Sequence, residues 1–80
     1  MVKRDGAETR RQRITLIAKM AHSAIHTSQN GEISLEKFVA SVMYETGLTQ
    51  EKIMEYLRVS EKMGQFEIDD VNDVIRKPRM

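Results

Sequence analysis

The stretch Thr46-Gly47-Leu48-Thr49-Gln50-Glu51-Lys52-Ile53-Met54-Glu55-Tyr56-Leu57 joins two amphipathic helices and decides the fold. Gly47 ends the first helix, because glycine takes the left-handed conformation without a steric penalty. Thr49 can cap the second helix by accepting a hydrogen bond from a free backbone N–H at its start. Two helices separated by so short a turn cross steeply, which leaves the N-terminal end of the second helix exposed.

Apolar residues recur at helical spacing on both sides of this turn and again near the N-terminus. The stripe before the turn consists of Leu35, Phe38, Val39, Val42 and Met43, and the stripe after it of Ile53, Tyr56, Leu57, Ser60 and Met63. A third stripe, within a helix predicted over residues 7–28, consists of Ile14, Ile17, Ala18, Ala21, Ala24 and Ile25, widened by Leu16 and Met20. We expect a three-helix core that buries Ile17, Ala21, Ile25, Phe38, Val42, Leu48, Ile53, Leu57 and Phe66.

The segments between and after these helices predict a small amount of β-structure. Asn30-Gly31 is a turn, Glu32-Ile33 can pair briefly as a strand, and Ser34 caps the next helix. We predict a short hairpin over residues 65–77, because their alternating pattern, polar turn and second apolar run are typical of one. The alternative is a fourth helix, in which Asp69 and Asp70 suit the N-terminus, Val71, Val74 and Ile75 have helical spacing, and Arg76 and Lys77 suit the C-terminus.

Length and composition predict one small domain. The chain has 80 residues, which we divide into a flexible basic N-terminus (1–6), a folded domain (7–77) and a tail (78–80). It contains no cysteine, so disulfides and thiolate metal sites are excluded and a reducing, cytoplasmic location is expected. No apolar run approaches the length of a membrane span.

Charge is distributed unevenly along the chain. Residues 1–13 contain five basic residues against two acidic ones, a net charge of +3, and residues 75–80 contain three basic residues and no acid, another +3. Residues 14–74 contain five basic and ten acidic residues, a net charge of −5. Because the two termini are basic and the central part is acidic, we expect any bound polyanion to be held by the termini as much as by the central part.

The order helix, short strand, helix, turn, helix, hairpin resembles the winged helix-turn-helix family of small prokaryotic and archaeal transcription regulators. The residues that carry the resemblance are Gly47-Leu48-Thr49, then Ile53 and Tyr56-Leu57, then Met63-Gly64-Gln65-Phe66-Glu67-Ile68. The resemblance implies a mainly α fold with a small β part, in which the helix after the turn enters the major groove of duplex DNA and the C-terminal hairpin forms a wing.

The resemblance implies that the second helix of the motif contacts base edges and that the basic residues bind phosphates. Gln50 can pair with adenine, Glu51 can accept from the cytosine amino group, and Met54 can contact the thymine methyl group. The expected DNA-binding residues are Thr49, Gln50, Glu51, Met54 and Arg58, together with Lys37, Arg10, Arg11, Arg13, Arg76 and Lys77. We also expect a homodimer that uses the first helix, since Leu16 and Met20 make its apolar arc wider than a small core needs.

An alternative function follows from the acidic residues of the same region. Glu51 and Glu55 lie on the outer face of the second helix of the motif, and Asp69 and Asp70 lie in the predicted wing. Phosphate repels all four carboxylates if they face DNA. The sequence therefore also fits a winged-helix module that binds another protein within a larger assembly.

Catalysis, cofactors and metals are not expected. His22 and His26 are four residues apart on a helix, but no third ligand accompanies them. Residues 26–38 resemble a calcium-binding loop, yet the position that needs a bidentate glutamate is Lys37. No glycine-rich phosphate loop and no nucleophile beside a histidine is present, so no enzyme and no small-molecule substrate is predicted.

Overall fold

A computed structural model describes the backbone of residues 5–78 and the side chains of residues 8–78. The elements are α1 (Asp5–Thr27), β1 (Glu32–Ser34), α2 (Leu35–Thr46), α3 (Gln50–Lys62), β2 (Glu67–Asp69) and β3 (Val74–Arg76). The expected flexible segment 1–6 lies largely outside the described residues, as do the basic side chains of Lys3, Arg4 and Arg79. Among the described residues, no helix combines the length and the apolar character needed to cross a bilayer.

The turn between α2 and α3 is formed as predicted. Gly47 has a φ of 77°, and its N–H donates to the carbonyl of Met43 at 2.9 Å. The Thr49 side chain accepts from the backbone N–H of Lys52 at 3.2 Å and so caps α3. Between them, the N–H of Leu48 donates to the Thr46 hydroxyl at 3.1 Å. These bonds fix the turn and the start of α3.

α1 begins at Asp5, two residues before the predicted start, and ends at Thr27, one residue before the predicted end. It packs along α3 in the same direction, since Arg10 contacts Glu55 and, three turns later, His22 contacts Gln65. α1 therefore covers one side of α3 for most of its length.

The C-terminal segment forms a hairpin, so the fourth-helix interpretation is wrong. β2 and β3 pair antiparallel, and β3 also pairs with β1, giving a three-stranded sheet in the order β1-β3-β2. Ile75 is opposite both Ile33 and Ile68, and this isoleucine row faces the core. A helix over the same residues could not have placed Ile68 and Ile75 side by side.

The predicted core is confirmed except at one position. Leu48 is only half-buried, because it lies in the turn and covers the edge of the core. The other predicted core residues are all buried. Residues that belong to the core without having been in the predicted set are Leu35, Val39, Tyr56, Ile68, Ile75 and the polar Ser60.

Leu57→Ala should destabilise the protein by about 2–4 kcal/mol, because Leu57 is 0% exposed in the middle of this core and a truncation there leaves a cavity. Chemical denaturation followed by circular dichroism measures the change in the free energy of unfolding. Leu16→Ala is the matched control. That leucine is 47% exposed, and its truncation should cost less than about 1 kcal/mol. Equal costs at the two positions would contradict this core.

Candidate functional site

The N-terminal half of α3 has a buried inner face and an accessible outer face. Ile53, Tyr56, Leu57 and Ser60 bury the inner face of α3. The side chains of Gln50 and Glu51 are exposed, while Met54 and Arg58 are half-buried. The arrangement leaves the predicted base-reading residues accessible along one side of α3, beginning directly after the Thr49 cap.

Arg10, a predicted phosphate contact, is paired with α3. Its guanidinium lies 2.8 Å from the Glu55 carboxylate and 5.9 Å from the centre of the Tyr56 ring. Lys52 approaches the same carboxylate at 3.7 Å. The hydrogen bond from Arg10, followed by the charge of Lys52, lowers the pKa of Glu55. Arg10 therefore links α1 to α3 at the surface, and a phosphate contact by Arg10 would require it to leave Glu55.

Arg58 links α3 to the turn of the hairpin. It donates to Asp70 at 2.7 Å and to Glu61 at 3.4 Å, and the bond to Asp70 raises the pKa of the guanidinium. Glu61 also accepts from the backbone N–H of Ile68 at 3.2 Å. Arg58 and Glu61 thus connect the hairpin to α3 at the surface, and a base contact by Arg58 would require it to leave Asp70.

Arg76 lies among three carboxylates, one from β1 and two from β2. It is 2.6 Å from Asp69, 3.6 Å from Glu67 and 3.9 Å from Glu32, and its side chain is only 24% exposed. In the sheet, Arg76 is directly opposite both Glu32 and Glu67, which makes a charged row on the face away from the isoleucines. Arg76 therefore ties the three strands together and is poorly placed to meet a phosphate.

The remaining predicted phosphate contacts are free of ion pairs within the described part of the chain. Arg11, Arg13, Lys37 and Lys77 are exposed, and none lies within 4.0 Å of a carboxylate of residues 8–78. Arg11 and Arg13 lie on the first half of α1, Lys37 in the first turn of α2, and Lys77 just after β3. The structure thus divides the predicted cations into a paired and an unpaired set.

A groove of about 440 Å³ lies between α2 and α3, and the sequence analysis did not predict it. Asp73, from the turn before β3, contributes to its lining. Asp73 has a φ of 58°, its carbonyl accepts from the N–H of Leu35 at 2.9 Å, and its carboxylate accepts from the Ser34 hydroxyl at 3.3 Å. The contact between the hairpin turn and the start of α2 thus adds a carboxylate to the groove. Ser34 and Asp73 are 39 residues apart, so no local pattern could have revealed this contribution.

His22, on the surface of α1, contacts two residues at the start of the hairpin segment. Its Nε2 lies 3.1 Å from the side-chain oxygen of Gln65, and its ring meets the edge of Phe66 with a centroid distance of 5.9 Å. Within the described residues, no group of three or more His, Cys, Asp or Glu side chains is arranged to hold a metal ion.

Comparisons with known proteins add no functional assignment. No protein-family model, no curated protein and no solved structure matches the chain.

We expect the fold to lose stability in acid, because the Asp69 carboxylate is stabilised by its partners in and beside the hairpin turn. Asn72 donates side-chain and backbone hydrogen bonds to Asp69, and these, with the Arg76 ion pair, lower the pKa of the Asp69 carboxyl. A carboxyl whose pKa is lower in the folded state stabilises the fold above its unfolded pKa and loses that effect as the pH falls through the folded pKa. At neutral pH the wild-type protein should therefore have a higher melting temperature than Asp69→Asn. The difference between the two melting temperatures should shrink below about pH 4.

Melting temperatures of both proteins across this pH range test the expectation. Glu45→Gln, at an exposed position on α2, is the matched control and should melt like wild type throughout. A gap between wild type and Asp69→Asn that is the same in acid as at neutral pH would contradict the role given to the Asp69 charge.

Proposed function

We propose that the protein is a winged helix-turn-helix transcription regulator that binds duplex DNA with a sequence preference. The order of its elements and the sheet order β1-β3-β2 support this fold assignment, with β2 and β3 as the wing. The observation that carries the functional proposal is the exposure of Gln50 and Glu51, with the half-buried Met54 one turn later, at the capped start of a helix whose other face is buried.

The proposed base contacts follow from the chemistry of these side chains. Gln50 pairs with an adenine, Met54 meets a thymine methyl group, and Glu51 accepts from a cytosine amino group. Glu51 lowers the affinity for phosphate in general, so its contribution is to specificity. Thr49 contributes by holding the start of α3 in place.

The proposed phosphate contacts are Arg11, Arg13, Lys37 and Lys77. A cation without a carboxylate partner gains the full benefit of meeting a phosphate, whereas Arg10, Arg58 and Arg76 must first give up Glu55, Asp70 and Asp69 respectively. The four cations without an ion pair therefore supply the sequence-independent part of DNA binding. The three paired arginines contribute only where a phosphate replaces the carboxylate that each now contacts.

A second candidate function, a protein-binding module within a larger assembly, is favoured by the charge around α3. Glu36 and Asp73 flank the groove between α2 and α3, and Glu51 lies in the depression that continues from it. The carboxylates of Glu36 and Asp73, together with that of Glu51, favour a cationic protein surface over a phosphate backbone. DNA affinity at low salt separates the two candidates.

We further propose that the protein acts in the cytoplasm and as a homodimer. A chain without cysteines suits a reducing compartment. The exposed Leu16 on the outer side of α1 supports a dimer contact there.

The two classes of DNA contact should separate by mutation. Arg11→Ala and Arg13→Ala should weaken binding to all duplexes alike, and each should reduce the slope of log K against log salt by about 0.9. Gln50→Ala should cost roughly 1–3 kcal/mol on a duplex selected for tight binding and much less on a scrambled one. Fluorescence anisotropy with the two duplexes at several salt concentrations measures both effects.

Lys62→Ala, at the far end of α3, is the control for loss of a positive charge away from the proposed contacts. If wild-type protein binds neither duplex even at low salt, DNA binding is wrong and the protein-binding module takes its place. Equal losses for Gln50→Ala on both duplexes would contradict base reading while leaving DNA binding intact.

A further inference from the structure

The groove between α2 and α3 is apolar along its floor and negative around it. We call it the acidic groove. Leu35, Val39, Met43 and Met54 supply its apolar lining, and Met43 is 38% exposed. The charged residues along it and in the adjoining depression are Glu36, Asp73 and Glu51, and the two lining sets contain no Lys or Arg. Such a surface suits an apolar side chain carried between positive charges.

The outer side of α1 has the complementary character. We call it the basic ridge, formed by Arg11, Leu16 and Lys19, with Gln12 and Thr15 between them. Arg11, Thr15 and Lys19 follow one another at intervals of four residues and so lie in a row, with Leu16 beside them. Leu16 is 47% exposed, and no carboxylate of residues 8–78 forms an ion pair with Arg11 or Lys19. The ridge thus presents one leucine flanked by two cations.

We propose that the acidic groove of one copy of the protein binds the basic ridge of a second copy. Leu16 enters between Met43 and Met54, whose unbranched side chains adapt to an inserted group. Lys19 and Arg11 then face the groove's carboxylates. Opposite charges and an apolar centre favour this pairing over two ridges meeting each other, which would bring like charges together.

The pairing joins two different surfaces, which has two consequences. Each copy that offers its ridge still has a free groove, so association continues beyond the dimer unless the arrangement closes into a ring. The contact also covers Gln50 and Met54, which line the acidic groove. In a copy whose groove is filled, α3 therefore cannot contact bases, whereas a copy that only offers its ridge keeps α3 free. Self-association is a property distinct from the proposed DNA binding and is measured without DNA. A failure of one is therefore distinguishable from a failure of the other.

Sedimentation equilibrium of the full chain, with single charge reversals, tests the pairing. Wild type should associate measurably at concentrations up to about 1 mM, as expected of a small and partly polar contact. Lys19→Glu on the ridge and Glu36→Lys in the groove should each weaken self-association by about tenfold or more. A one-to-one mixture of these two variants should associate again, because the unchanged ridge of Glu36→Lys fits the unchanged groove of Lys19→Glu.

The controls carry the same charge changes elsewhere. Lys62→Glu and Glu45→Lys, at exposed positions outside both surfaces, should associate like wild type, and circular dichroism confirms that every variant is folded. Three outcomes would overturn the proposal: a wild-type protein that stays monomeric at about 1 mM, a Glu36→Lys variant that self-associates like wild type, or a mixture that associates no better than its two components. The second outcome would point to a contact between two α1 helices.

Discussion

The structure depends on the burial of one face of α3. Ile53 and Leu57 are fully buried, Tyr56 nearly so, and α1, α2 and β2 all contact this helix. Since a helix buried on one side must expose the other, the same packing leaves Gln50 and Glu51 at the surface directly after the Thr49 cap. Stability and the proposed function therefore use opposite faces of one helix.

Local signals predicted most of the fold. Gly47 and Thr49 act through their own backbone and immediate neighbours, so the turn and the start of α3 could be read directly from the sequence. For the segment 65–77 the sequence favoured a hairpin but left a fourth helix open, because Val71, Val74 and Ile75 also have helical spacing. The pairing of Ile75 with Ile33 and Ile68 decides it, and that contact joins residues far apart in the chain.

The candidate site was predictable in its residue types and less so in their roles. The exposed start of α3 follows from the helix pattern, whereas the pairing of Arg10 with Glu55, Arg58 with Asp70 and Arg76 with three carboxylates depends on how the elements dock. A count of charges along the sequence treats all these cations as available. The acidic groove was missed for the same reason, since Asp73 reaches α2 only through the folded hairpin.

The proposed binding of duplex DNA by the start of α3 can be tested by mapping amide chemical shifts. Isotope-labelled protein is titrated with duplex DNA at low salt, and the backbone amides that shift are identified. If α3 binds DNA as proposed, the largest changes should fall on residues 50–54, with further changes at Arg11, Arg13 and Lys37. A spectrum that stays unchanged throughout the titration, or changes confined to the basic segment of α1, would contradict it.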